Sequence, residues 1–269
     1  MKLIKEGKIQ LDDTIDKYLK VKIPSKKGIK ITFRHLVTHT SGLPSIPTNF
    51  NPSDCNDPYN DYKKQQMYEF LDTCELLSIP GEKYEYSNLG MALLGHILST
   101  IEKKSFEELI KTEILMPLDM KNTYVFFNDI PQNKLVIGHY DNKEVKNWNF
   151  SIFSPAGSIC SNIEDMILFL AANMGMTNSY LYDWIKSCHC LLHELNEEYV
   201  LGIGFGWHIN KANDGTIIWH NGGTGGYSSF LGFNSKTQKG VVILSNTSSD
   251  VPTELGFHII DSDFYKLNK

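Results

Sequence analysis

The run His220-Asn-Gly-Gly-Thr-Gly-Gly226, continuing as Tyr227-Ser-Ser-Phe-Leu-Gly232, decides how the rest of the chain is read. Thr216-Ile-Ile-Trp219 before it and Gly240-Val-Val-Ile-Leu-Ser245 after it are β-branched and aromatic, so strands surround a glycine-dense turn. Four glycines in five positions weaken a sheet by removing side-chain packing and adding backbone entropy. Their concentration implies a backbone that bends sharply or approaches something closely. His220 at its lip is then a polar group facing a ligand. A loose hairpin with a surface histidine satisfies the same residues.

Outward from that run, strand character holds from Tyr199 through Gly202-Ile-Gly-Phe-Gly-Trp-His208 to Val241–Ser245, and a helix over Pro252 to Tyr265 follows. The preceding half reads as helices. The first seven residues read as the end of a helix with Gly7 as its stop, Leu11 to Leu19 has helical spacing, and Thr32 caps Phe33–Val37. Thr38-His-Thr-Ser-Gly-Leu-Pro44 is a loop, and Asn49 to Asp61, rich in Asn, Asp and Pro, continues as an irregular exposed segment. Tyr62 to Leu77 is periodic until Pro80-Gly81. A further apolar helix through Met91–Leu98 starts close to Ser87 or Asn88, which puts Tyr86 and Asn88 at its mouth. Ser105 to Met116 is amphipathic, Thr123 to Tyr140 holds short strands and loops, and Ser161 to Leu170 carries an N-cap and an acidic first turn. Helices first and antiparallel strands last predict an α+β architecture in a single domain over residues 1–269. Its helical lobe covers about 31–200, and its sheet lobe about 201–269 with the N-terminal helix.

Composition limits the partners. The chain has 269 residues, 41% of them hydrophobic and 12% aromatic, enough for a packed core. The net charge is −5 and the basic residues are dispersed, all lysine except Arg34, which argues against nucleic acid. Five cysteines, at 55, 74, 160, 188 and 190, lack disulfide-framework spacing and read as free thiols of a reducing compartment. Cys188-His-Cys190 with His193 could supply two or three metal ligands, but no second Cys/His pair follows at zinc spacing, so neither metal nor cofactor is expected. No apolar run reaches membrane-spanning length and Met1–Gly7 lacks the core of a signal peptide, so the chain as written reads as soluble and untargeted, with a small molecule or peptide as its partner.

Five stretches occur in one order: Leu36-Val-Thr-His-Thr-Ser-Gly-Leu-Pro44, Pro80-Gly81 with Tyr86-Ser-Asn88, Met116-Pro-Leu-Asp-Met-Lys-Asn-Thr123, Pro155-Ala-Gly-Ser158 with Glu164-Asp165, and His220-x-Gly222. Together they resemble the serine β-lactamase-related superfamily of class C β-lactamases, D-alanyl-D-alanine carboxypeptidases and related esterases, over nearly the whole chain. The resemblance implies an antiparallel sheet flanked by helices with an inserted, mostly helical lobe. That family acylates the serine of a Ser-x-x-Lys, moves protons with the tyrosine of a Tyr-x-Asn, and lines its pocket with a Lys/His-x-Gly strand. It thereby implies Tyr86 as the catalytic acid/base and Asn88 as a substrate-orienting amide. His220, Gly222, Gly223 and Thr224 become the substrate-binding wall, whose backbone N–H groups suit a developing oxyanion.

Two departures stand beside these matches. No Ser-x-x-Lys occurs in the 269 residues, the nearest spellings being Thr14-Ile-Asp-Lys17 and Thr100-Ile-Glu-Lys103, both out of the family's order. Residues 2–7 resemble the end of the helix that the nucleophile begins in the family, so the expectation is an N-terminally truncated member whose serine lies upstream of Met1. The second departure is His220, where β-lactamases of the superfamily usually carry lysine. Histidine resembles the peptidase and esterase branches, because it binds a carboxylate only when protonated. Two functions follow: a serine hydrolase working through an acyl-enzyme on a D-amino-acid peptide, β-lactam or small ester, or a pseudoenzyme or binding module that keeps the pocket without the chemistry.

Overall fold

The computed structural model describes residues 1–195 and 200–264. Tyr199 and Tyr265, which the sequence reading put at the ends of a strand region and a helix, lie outside the described residues. The chain divides into two compact units, one of Met1–Ile110 with Trp148–Ser158, the other of Lys111–Asn147 with Ile159–Lys269.

The first unit holds α1 (Lys2–Lys5), a two-stranded ribbon of β1 (Ser25–Lys26) and β2 (Ile29–Lys30), α2 (Phe33–Val37), α3 (Lys64–Thr73), α4 (Asn88–Glu102), α5 (Phe106–Ile110) and α6 (Ser154–Gly157). Leu11–Leu19 forms only a 3-10 turn over Ile15–Lys17. Asp13 takes the Gln10 amide, the Lys17 ammonium and the Tyr18 hydroxyl, and these side-chain bonds favour a turn over a regular helix. Thr32 caps α2 as expected, accepting from the His35 amide. Along α4, Leu89, Ala92, Leu93 and Ile97 are wholly buried, a wide apolar face that makes it the axis of the unit. Gly95 opens that helix to α6: a Cβ there would stand 2.2 Å from Pro155 Cγ. The Pro155-Ala-Gly stretch is thus a packing device.

Asn49–Asp61 is irregular and largely open to solvent, as its composition predicts, yet it is fastened to the unit at two points. Asp57 accepts from the Asn149 amide and side chain at 2.6 and 2.7 Å, and Tyr59 stacks on Phe150 at 5.1 Å with Trp148 and Phe153 beside it. Its polar residues face water while Phe50, Tyr59 and Tyr62 carry it onto the unit's core.

The second unit is built on a six-stranded antiparallel sheet in the order β10-β9-β8-β7-β6-β5. Its strands follow the small hairpin β3 (His139–Tyr140) and β4 (Lys143–Glu144), and the helices α7 (Ile163–Asn173) and α8 (Tyr182–Ser187). They are β5 (His193–Glu194), β6 (Val200–Ile203), β7 (His208–Lys211), β8 (Thr216–Gly223), β9 (Ser228–Asn234) and β10 (Lys239–Ser245), and α9 (Val251–Ile260) completes the unit. Each strand pairs with its sequence neighbour, as a meander does. Alternation sorts the core: Ile217 and Phe230 join Phe257, Ile260 and Phe264 on the α9 face, while Ile218, Leu231 and Phe233 join Leu170 on the α7 face. Ser105 to Met116, expected as one helix, is α5 followed by a wider π turn over Lys111–Leu115.

Candidate functional site

In the first unit, Tyr86 and Asn88 flank Ser87, the N-cap of α4. The Ser87 hydroxyl accepts from the Gly90 amide at 2.8 Å and donates to the Pro44 carbonyl at 2.7 Å, so one buried side chain both starts the helix and ties it to the Thr38–Ser45 segment. Tyr86 is 37% exposed and Asn88 half-buried in the first turn. Burial pushes the Tyr86 phenol above its ordinary value, which makes it a weaker acid than a free tyrosine.

The Thr38–Ser45 segment runs along the Leu77–Leu89 segment and bonds it repeatedly: Leu77 to Gly42, Gly81 to Thr40, Glu85 to His39 and Leu89 to Ser45, each an amide donating to a carbonyl at 2.7–3.0 Å. Thr38, His39, Thr40 and Ser41 are all buried. Gly42 has φ +72, and a Cβ on it would lie 2.4 Å from the Ser78 carbonyl oxygen, so only glycine fits. His39 takes φ +53 without being glycine, a conformation that costs on the order of 1 kcal/mol or more. Its ring lies stacked on that of Tyr86 at 4.3 Å. The sequence reading passed His39 over as loop. Its neighbours along the chain, two threonines and a serine, give no sign of that contact.

In the second unit, the glycine-rich run forms the turn between two strands, as expected, with no left-handed residue at Gly222 or Gly223. Both continue β8 opposite Ser229 and Ser228, with their backbones exposed. The close approach occurs at Gly226, where a Cβ would meet Val145 at 2.5 Å and Gly138 at 2.8 Å. There the hairpin of β3 and β4 rests on the turn, and the His139 amide donates to the Gly226 carbonyl at 3.0 Å. Thr224 donates its amide to the Tyr227 carbonyl, closing the turn.

His220 is half-buried near the end of β8, its Nδ1–H donating to the Asn221 carbonyl. Burial holds its imidazole below the ordinary value, the bond to Asn221 opposing weakly, so the ring is neutral at pH 7. His208, 5.3 Å away and stacked on Trp219, is pushed down to about 4 by burial and then by His220. The other side of β8 lines a polar cavity of about 270 Å³ with Asn221, Ser228, Asp250 and Thr253. Among the described residues no cluster of His, Cys, Asp and Glu could hold a metal ion, and no helix is long and apolar enough to cross a membrane.

The beta-lactamase family matches residues 1–260. The chain belongs to that family. Protein flp of Staphylococcus aureus strain MRSA252 is 27% identical to it over 266 residues, which are 96% of this chain and 52% of the relative. Penicillin-binding protein 4* of Bacillus subtilis strain 168 is 26% identical over 275 residues, covering 94% and 58%. The chain thus spans about half the length of these relatives. Among solved structures, the octameric penicillin-binding protein homologue of Pyrococcus abyssi superposes with a TM-score of 0.81 at 25% identity, over all of this chain and 63% of that one. A β-lactamase/D-alanine carboxypeptidase of Yersinia pestis gives 0.80 at 23%, over all of this chain and 79% of that one. The described elements therefore have the α+β fold of the beta-lactamase family.

Proposed function

We propose that this beta-lactamase-family chain is part of a serine acyl-hydrolase acting on a D-amino-acid peptide or a small ester, with Tyr86 as its proton-transfer group and Asn88 orienting the substrate amide. The observation that carries the reading is the Tyr86-Ser87-Asn88 turn. It opens α4, is fastened by a buried cap, and presents a protonated phenol that burial makes still harder to ionise. Such a phenol is poised to give a proton to a leaving group, and it becomes a base only when a neighbouring cation lowers its pKa. On β8, Gly222 and Gly223 leave backbone N–H groups uncrowded by side chains, the requirement for polarising a carbonyl.

His220 inclines the substrate class away from β-lactams. A permanent cation would grip a β-lactam carboxylate, whereas the neutral imidazole offers a hydrogen bond. The second reading, a domain that binds without turnover, draws on the absence of Ser-x-x-Lys from these 269 residues.

Both readings are tested by intact-mass measurement after exposure to benzylpenicillin and to a fluorophosphonate. The expected result is no covalent adduct on this chain, because none of its serines has a lysine three residues on. Ser41, Ser158 and Ser228, the serines a substitute nucleophile would come from, are all buried, the last donating to the Thr247 carbonyl at 2.6 Å. A stoichiometric adduct on any of the three would overturn the assignment of these residues.

A further inference from the structure

His39 grips residue 86 from three directions. Its carbonyl accepts the Glu85 amide at 2.7 Å, on one side of Tyr86. Its Nδ1 accepts the Ser87 amide at 3.0 Å, on the other side. Its imidazole stacks on the Tyr86 ring, centroids 4.3 Å apart and planes inclined by 25°, while Tyr84 meets the same imidazole edge-on at 6.1 Å. The histidine is 2% exposed and left-handed at φ +53. Glycine or asparagine would adopt that backbone with less strain, and phenylalanine would stack as well. Of the natural side chains histidine alone combines a stacking ring with an accepting nitrogen lone pair in the plane of that ring, and both are in use here.

We infer that His39 is the positioning residue that fixes the Tyr86 phenol, its backbone, Nδ1 and ring acting together on the three consecutive residues Glu85, Tyr86 and Ser87. The inference rests on the reading of Tyr86 as the acid/base. It adds that the neutral Nε2–H tautomer of His39 is the holding form, since Nδ1 must keep its lone pair toward the Ser87 amide. It also gives the Thr38-His-Thr-Ser-Gly-Leu stretch a task. The segment is the template along which the Tyr86-x-Asn88 turn is laid, and the precision of a proton-transfer group depends on such support.

The test uses the chain as it stands, labelled with 15N and with 13C at the tyrosine ring, and Tyr86→Phe assigns the Tyr86 signal. In the unmodified chain the Ser87 amide nitrogen should couple to an unprotonated His39 Nδ1, and the Tyr86 phenol should titrate above 10. His39→Asn keeps an acceptor and tolerates the left-handed backbone but loses the ring that covers the phenol, so the chain should stay folded while the Tyr86 midpoint falls toward the ordinary tyrosine value. His39→Phe keeps the stack, so it should restore the midpoint while abolishing the coupling. A folded His39→Asn chain with an unmoved Tyr86 titration would overturn the inference. Should neither variant fold, the unmodified chain decides, because a protonated Nδ1 without coupling to Ser87 is incompatible with it. The acid/base reading fails separately: a product carrying Ser-x-x-Lys whose turnover survives Tyr86→Phe would remove that role and leave the anchor standing.

Discussion

The Thr123 hydroxyl donates to the buried Asp165 carboxylate at 2.7 Å, joining two stretches that lie 42 residues apart. The same carboxylate oxygen takes the Asn122 amide at 2.7 Å, Thr123 also meets the Ser161 hydroxyl at 2.7 Å, and Asn162 caps α7 by accepting the Asp165 amide at 3.0 Å. The Met116–Thr123 and Glu164-Asp165 motifs are therefore one polar knot that seats the start of α7. Removing the carboxylate strands two donors in a site 4% exposed. Asp165→Ala should lower stability by roughly 2–3 kcal/mol and Asp165→Asn by less, since an amide oxygen still accepts one bond. Urea unfolding of the three proteins checks this, and equal midpoints would show that the knot is dispensable.

Acid should loosen the second unit through its histidines. His189 and His208 are each pushed down to about 4, both first by burial, against 6.5 for a free imidazole. Between those values the unfolded chain binds protons that the folded one excludes, so their contribution to stability is complete above pH 6.5 and is lost progressively as pH falls toward 4. His208→Gln should flatten the stability–pH slope between pH 6.5 and 4 without changing it above pH 7. A slope identical to that of the parent chain would mean that His208 is protonated within the fold.

The thiols should divide by exposure. Cys55 and Cys190 are exposed, whereas Cys74 is pushed up to about 11 by burial and then by Glu75, and burial also raises Cys160 and Cys188. Thiolate and access together set reactivity. A chromogenic disulfide reagent at pH 8 should modify two thiols rapidly and the other three only on unfolding. A rapid phase of five would contradict the packing around Cys74, Cys160 and Cys188.

The sequence disclosed what depends on local pattern. Strand alternation around Trp219, the Thr32 cap and the helix start at Ser87 are all written within a few residues, and each stands where its chemistry puts it. The nine-residue run from Leu11 failed because Asp13 draws three donors into a turn, a preference that outweighs spacing. Asn49–Asp61 is irregular as expected, but its anchoring was not legible. Its polar composition hid two aromatic residues, Phe50 and Tyr59, whose partners at Phe150 and Phe153 come from some ninety residues later. His39 was illegible for the same reason. Its function lies in what a distant segment places against it, and one chain without a fold shows only a histidine between two threonines.

The sheet's outer strand sets the last expectation. β10 pairs with β9 on one side, and among the described residues no strand pairs with it on the other. Its Val241-Val-Ile-Leu244 centre is apolar, Leu244 is 41% exposed, and Lys239 is the only charge along it. Next to it, Val251, Leu255 and Ile259 recur every four residues along α9 and are 44–60% exposed, an apolar stripe on one side of that helix. An unpaired apolar edge beside an uncovered helix face is a template for association, and edges that resist it usually carry charge. The isolated chain should therefore self-associate at micromolar concentration. Leu244→Lys combined with Leu255→Lys should shift it toward monomer, because both side chains are already partly in water and their charges oppose pairing without opening the core. Light scattering and sedimentation of the two proteins measure the difference. A parent chain that is monodisperse and monomeric throughout that range would show that the edge is protected within the fold, and the argument from β10 would have to be abandoned.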